Sequence, residues 1–211
     1  MQYYQFLPVG DIPRFLKDSF NDLPPDLWLK PKDSHFRFRC YQQAVLKSQQ
    51  FSYLNSNMPF YQPSHLNCYS GGVKREYAGL VPDVADIVFD SIISRLVPIL
   101  PDKEYQIGIH QIRITTDSLN IGHPAPEGIH QDGFTYISVC CIELNNVSGG
   151  DTTLIPCDKD TAKVVTFKLN EGEAVVFNDV NYLHYTSAIV PLLPGKGYRD
   201  VFVITFDDRV S

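Results

Sequence analysis

The chain has no cluster of lysines or arginines, and no segment approaches the roughly 18 consecutive apolar residues that a membrane-spanning helix needs. Its formal net charge is -6, so the concentrated positive surface that marks a nucleic-acid binder is missing, and neither nucleic acid nor membrane is an expected partner. The first residues, MQYYQFLPVGDIPRF, lack a basic start followed by an apolar stretch, which argues against a secretory signal and leads us to expect a soluble, cytoplasmic protein. No CxxC pair occurs, which disfavours a zinc ribbon or a thioredoxin-type site. The five cysteines (Cys40, Cys68, Cys140, Cys141, Cys157) are odd in number, and the adjacent pair Cys140 and Cys141 would face opposite sides of a strand. All five are expected to be reduced and mostly buried. Internal repeats, low-complexity tracts and obvious linkers are likewise missing, so 211 residues are read as one domain, 1–211.

What the chain does have is aromatic residues, with 12 Tyr and 13 Phe, and these suit pleated sheet. The N-terminal part is rich in proline, with a short helix expected near Asp11–Phe20, a strand over His35–Tyr41 and loop with short strands over 52–82. Val84, Ile87, Val88, Ile92, Leu96 and Val97 recur at helical spacing, which predicts a helix from Pro82 to Leu100. From Tyr105 the pattern changes to strands: Tyr105–Thr116, Phe134–Leu144, Asp151–Pro156, Lys163–Leu169, Glu173–Phe177, Leu183–Val190 and Asp200–Phe206, separated by Gly, Asn, Asp and Pro turns. The expected fold class is α+β and mainly β. It has a double-stranded β-helix (jelly-roll or cupin-like) core over 105–207, backed by helices and loops from 1–104. The mouth of such a container can hold a metal and small ligands.

Before the second of these strands stands Pro126-Glu127-Gly128-Ile129-His130-Gln131-Asp132-Gly133. In extended chain, residues i and i+2 project to one side, so His130 and Asp132 present an imidazole and a carboxylate together. With His184 from a distant strand they would complete a face of two histidines and one carboxylate, which binds Fe(II) and leaves positions open. HxD alone is a weak signal. Its companion is Arg199, on an apolar strand, whose planar guanidinium can take the far carboxylate of a dicarboxylate co-substrate.

With these residues, Gly149-Gly150-Asp151-Thr152 and Gly197-Tyr198-Arg199-Asp200-Val201 through Ile204-Thr205-Phe206, the chain resembles the small bacterial iron(II)/2-oxoglutarate dioxygenases typified by isoleucine hydroxylase, which act on free amino acids. The resemblance covers about 105–207 well and the N-terminal third loosely. HxD…H…R is common to the superfamily, whereas PEGIHQDG with GGDT is more specific. It implies Fe(II) held by His130, Asp132 and His184, 2-oxoglutarate and O₂ as co-substrates, Arg199 on the distal carboxylate, release of succinate and CO₂, and hydroxylation of a free L-amino acid or a close derivative. The alternatives are a peptide or protein side-chain hydroxylase, a non-catalytic cupin-like binding module, and a zinc enzyme on the same ligands.

Further residues carry two readings each. Arg113 shares a strand face with Tyr105, Ile107, Ile109 and Gln111; it either meets a bound carboxylate in the cavity or forms a salt bridge with a neighbouring acid. Glu127 is either the partner of a substrate ammonium or an exposed loop acid. Tyr136, on the extrapolated face of His130 and Asp132, is either a hydrogen-bond donor to the co-substrate or a core aromatic. Thr205, on the face of Arg199, either assists carboxylate binding or fills the strand. His35, His65, His110 and His123 are read as structural or exposed. Oligomeric state and the carbon oxidised are not legible.

Overall fold

The structure is a computed structural model and describes residues 4–30, 35–48, 50–54, 58–67, 69, 71–158 and 163–208. In chain order it comprises β1 (Tyr4–Pro8), α1 (Arg14–Asp18), β2 (Arg37–Lys47), β3 (Gln50–Tyr53), α2 (Pro82–Val88), α3 (Ser94–Leu96), β4 (Tyr105–Thr116), β5 (Tyr136–Asn145), β6 (Val147–Gly149), β7 (Thr152–Pro156), β8 (Val165–Phe167), β9 (Glu173–Asn178), β10 (Tyr182–Thr186), β11 (Ile189–Pro191) and β12 (Gly197–Asp207).

Seven strands form the main antiparallel sheet in the order β1-β9-β5-β12-β4-β2-β3; β10-β7-β8 and β11-β6 form two smaller sheets. The mainly β, jelly-roll expectation is met. Three of the seven main-sheet strands come from the N-terminal third, so this portion is more than the helical and loop support expected of 1–104. Strand β1 has no counterpart in the sequence reading, β3 begins just before the 52–82 loop with short strands, and Leu183–Val190 divides into β10 and β11 because residues 187–188 leave the ladder.

The main sheet has apolar side chains on both faces. Toward the helices, Tyr105, Ile107 and Ile109 of β4 and Phe202, Ile204 and Phe206 of β12 pack with Leu16, Phe20, Val84, Val88, Ile92 and Leu96. The helical segment starts with Pro82 in its first turn and Asp83 beside the N-terminal N–H groups, both favourable there. It is not uniform: a π-helical turn over Phe89–Ile93 separates α2 from α3, and adjacent Ile92 and Ile93 are both fully buried. On the other face, Ile137, Val139, Cys141, Val175, Phe177 and Val201 pack against Leu154 and Tyr182 of the small β10-β7-β8 sheet.

Cys40, Cys140, Cys141 and Cys157 are free thiols, the first three buried as expected; Cys68 lies outside the described residues. No helix among the described residues is long and apolar enough to cross a membrane.

Candidate metal centre and cavity

The register of the main sheet lays out a cavity wall row by row. Arg37, Arg39, Tyr41 and Gln43 of β2 stand opposite Ile114, Ile112, His110 and Gly108 of β4. The same β4 residues stand opposite Arg199, Val201, Val203 and Thr205 of β12. Beyond them, Cys141, Val139 and Ile137 of β5 pair with Val201, Val203 and Thr205. The result is an apolar strip with arginines on either side. The cavity over it measures about 110 Å³ and is also lined by Gln62, Glu127, His130, Asp132 and His184, among others. One water needs roughly 10–15 Å³, so the cavity has room for a small ligand.

His130 and His184 are brought together by the backbone. They form an isolated antiparallel bridge, with His130 N–H donating to the His184 carbonyl at 3.0 Å and His184 N–H to that of His130 at 2.8 Å. Nδ1 of His130 lies 2.8 Å from the Gly128 carbonyl, a contact that fixes the proton there and frees Nε2. The Asp132 carboxylate lies between the rings, 3.6 Å from His130 Nε2 and 3.5 Å from His184 Nε2. Ligand atoms of all three side chains fall within 4.8 Å of one another.

Electrostatics favour this arrangement. Burial alone would raise the Asp132 carboxyl, but hydrogen bonds and charge from both imidazoles hold it well below the usual carboxylate range. Burial alone would lower His184, but Asp132 and Asp179 override that and raise it to about 10. His130 is likewise raised, burial opposing and Asp132 prevailing. Proton-avid imidazoles around a carboxylate are a site in which a cation can replace protons.

Two residues with no part in the sequence motifs, Asp179 and Gln62, brace the candidate ligands. Asp179, fully buried, accepts backbone N–H groups from Asp132 (3.3 Å), Gly133 (2.7 Å) and Phe134 (3.1 Å), and its carboxylate lies 3.6 Å from His184 Nδ1. That nitrogen is buried and makes no hydrogen bond. Gln62 donates to the Asp132 carboxylate at 2.9 Å and to its carbonyl at 3.1 Å, while its own oxygen accepts from Asn67 and from Arg75 at 3.1 and 2.6 Å. The only sequence signal for Asp179 is its place just before His184 at the end of a strand; Gln62 has none.

Arg199 is 4% exposed and faces the cavity, and among the described residues no carboxylate lies within ion-pair distance of its guanidinium. Burial lowers its pKa, opposed by the more distant charges of Cys141 and Asp200. Gly150 adopts φ +75°, and a Cβ there would press on the Arg199 stem at 3.2 Å, so the second glycine of the GGDT segment leaves room for this side chain. Thr205 lines the same wall, and its Oγ1 is 3.5 Å from the Gly108 carbonyl. Glu127 lines the rim, with its carboxylate 3.3 Å from His130 Nε2.

Two sequence expectations are corrected. Arg113 is not in the cavity: β4 turns its Tyr105–Arg113 face toward the helices. There Arg113 forms a two-pronged ion pair with Asp200 at 2.6 and 2.7 Å, donates to Asn21 and stacks on Tyr198. Tyr136 packs behind the sheet against Tyr105, ring centroids 6.3 Å apart. The alternation begun at His130 and Asp132 does not reach it, because the chain turns at Gly133 (φ +87°) before β5 begins at Tyr136. A Cβ at Gly133 would meet Leu66 at 2.2 Å, so the turn is tightly enclosed. Of the four remaining histidines, His35, His65 and His123 are exposed, whereas His110 is buried in the cavity wall.

A profile of the 2OG-Fe dioxygenase family matches residues 17–205. The chain belongs to this family. It is thus an enzyme of the iron(II)/2-oxoglutarate oxygenases, which use Fe(II), 2-oxoglutarate and O₂. Among solved structures, the oxygenase-family chain is similar to a bsmA homolog from Methylobium petroleophilum PM1, with 24% identity, a TM-score of 0.78, and 92% of this chain and 80% of that one covered. It is also similar to IDO from Bacillus thuringiensis, at 16% identity and a TM-score of 0.69, covering 93% and 81%. A third likeness is the Fe(II)/(alpha)ketoglutarate-dependent dioxygenase TqaL, at 15% identity and a TM-score of 0.59, covering 99% and 83%. No curated protein sequence matches the chain.

Proposed function

We propose that this oxygenase hydroxylates a small substrate, a free L-amino acid or a close derivative, and that His130, Asp132 and His184 hold its iron. The observation that carries the reading is the pairing of this triad, across an apolar wall, with a buried guanidinium, Arg199, that has no carboxylate within ion-pair distance among the described residues. Two imidazoles and one carboxylate are the donor set of non-haem iron, and a buried Arg without an anion, facing a cavity, is a receptor for one. Bound iron supplies the oxidative decarboxylation of 2-oxoglutarate by O₂ to succinate and CO₂, coupled to insertion of an oxygen atom into a substrate C–H bond.

The chain's own residues do the rest. Arg199, with the Thr205 hydroxyl beside it on β12, holds the distal carboxylate of 2-oxoglutarate. Ile112, Val139, Val201 and Val203 keep water from the reacting region. Glu127, at the rim beside His130, takes the substrate ammonium. Asp179 and Gln62 keep Asp132 and His184 in register for the metal. A single-domain arrangement over 1–211 and cytoplasmic location remain part of this reading.

The first test is an anaerobic visible spectrum of the purified protein with Fe(II) and 2-oxoglutarate, beside a His184→Ala control. A charge-transfer band in the wild type alone is expected. Its absence from folded, iron-supplied wild-type protein would sink the assignment of the triad and return the zinc or binding-module readings.

A further inference from the structure

The co-substrate accounts for one arginine of the cavity, and three more line it: Arg37, Arg39 and Arg75. The carboxylates that line it are Glu127 and Asp132. Two of the three arginines have identifiable duties. Arg37 donates to the fully buried Asp26 at 2.8 Å, and the other Asp26 oxygen accepts the Trp28 N–H at 3.0 Å. Arg75 donates to Gln62 at 2.6 Å and so supports the residue that holds Asp132.

Arg39 is different. It is 7% exposed, faces the cavity, and its Nε is buried without a hydrogen-bond partner. Its terminal nitrogen lies 2.6 Å from Nδ1 of His110. That ring is neutral, since burial and the adjacent guanidinium hold it well below the ordinary histidine value. It therefore accepts a hydrogen bond from Arg39 without balancing its charge. The nearest carboxylate, Asp26, is 4.0 Å away and already engaged by Arg37. The guanidinium lies over the rings of Tyr77 and Phe60, with centroid distances of 4.6 and 5.3 Å, and His110 is itself stacked on Tyr41 at 4.5 Å. The Tyr77 hydroxyl is a second buried polar group there without a partner. A buried cation held rigid by aromatic rings and a neutral acceptor, open to a cavity, is built to receive an anion.

Which anion follows from the register. Arg39 stands on β2, separated from β12 by β4, so its backbone lies roughly 10 Å from that of Val201, two residues beyond Arg199. A 2-oxoglutarate chelated at the triad and anchored on Arg199 lies on the β12 side and leaves Arg39 unused. We propose that Arg39 anchors the carboxylate of the second, oxidised substrate, so that the site selects carboxylate-bearing small molecules lying across β4. An α-amino acid would then lie with its carboxylate toward β2 and its ammonium toward Glu127. Only the ammonium end depends on the amino-acid reading above; the carboxylate end stands on Arg39 itself.

The experiment is anaerobic calorimetric titration of the protein loaded with Fe(II) and 2-oxoglutarate. The probes are three matched sets: free L-amino acids, their C-terminal amides, and the corresponding carboxylic acids without the amino group. The free acid that binds the wild type best should lose at least 100-fold in affinity as its amide. Arg39→Gln should weaken the acid about as much and bring acid and amide to parity, with the absorption band of the 2-oxoglutarate complex titrating within 3-fold of wild type. Arg39→Lys, which keeps the charge, should fall between and serves if the Gln variant does not fold. If carboxylic acids without an amino group bind equally well and still depend on Arg39, the anchor stands and the amino-acid reading falls. If amino acids bind but are indifferent to Arg39, the amino-acid reading stands and the anchor is wrong. Loss of the 2-oxoglutarate band in Arg39→Gln, or no binding of any probe to the wild type, also overturns the anchor.

Discussion

Strand β4 turns Ile107, Ile109 and Arg113 toward the helices and His110, Ile112 and Ile114 toward the cavity, and the two sides treat charge in opposite ways. On the helix side, Arg113 is closed off by Asp200, Asn21 and Tyr198, so nothing there is left to bind. On the cavity side, both arginines are buried: among the described residues Arg199 has no carboxylate within ion-pair distance, and Arg39 has Asp26 at 4.0 Å, already engaged by Arg37 at 2.8 Å, with neutral His110 as its hydrogen-bond acceptor. Burial of a cation is therefore no guide to its role. What distinguishes a structural arginine from a receptor is whether the fold itself supplies the anion.

The largest expected effects separate the two sides outright. Arg199→Ala should raise the concentration of 2-oxoglutarate needed for half-maximal succinate formation by about 30-fold or more, because a buried charge contact worth about 2–5 kcal/mol is removed. Its denaturation midpoint should not fall. Ile109→Ala, on the opposite side, should lower stability by about 2–5 kcal/mol in urea and leave 2-oxoglutarate affinity nearly unchanged. If both variants lose both properties together, the division between the sides fails.

Next in size is Arg113→Ala, which strands the fully buried Asp200 and should cost about 3 kcal/mol of stability. Co-substrate affinity should survive. A large affinity loss without destabilisation would put Arg113 back in the site. Asp179→Asn weakens the brace under His184 and the HxD turn, and should reduce iron affinity roughly 10–100-fold in a chelator competition. Unchanged iron affinity would make Asp179 a turn-former alone.

The smallest effect is a pH slope. Buried His110 stays neutral while the unfolded chain takes up a proton near the ordinary value of 6.5. Its contribution to stability is thus present above that pH and lost as pH falls from 6.5 toward the lower folded value. Measured by urea midpoints of metal-free protein, the change in stability from pH 7.5 to 5.5 should be less favourable in the wild type than in His110→Gln, by that share. His130 and His184, with raised values, act in the opposite sense, so the comparison between variants is the informative quantity.

Much of this was legible in the sequence. Tyr105–Thr116 reads as a strand from its composition and matches β4 end to end, and HxD with a distant His marks residues that do converge. Arg199 and Thr205 share a face as their spacing requires. The failures have physical causes. Alternation shows which residues of β4 share a side but not which side meets the helices, so the sequence leaves both readings of Arg113 open and the fold decides for the salt bridge. Alternation also presumes unbroken strand, and the turn at Gly133 reset it before Tyr136. Gln62, Asp179 and Arg39 reach the site through tertiary pairing, for which local pattern carries no sign.

The mutual backbone bridge between His130 and His184 has a consequence for how metal content is read. The two residues whose imidazoles could take one ion also trade their main-chain hydrogen bonds, so an ion held there would bear on a seam the backbone already closes. An ion across the imidazoles would act as a latch on a seam otherwise held by a two-bond bridge and the Asp179 carboxylate. The amide hydrogens of residues 130 and 184 should therefore exchange with solvent more slowly in loaded than in stripped protein, a clock for occupancy that runs without any turnover.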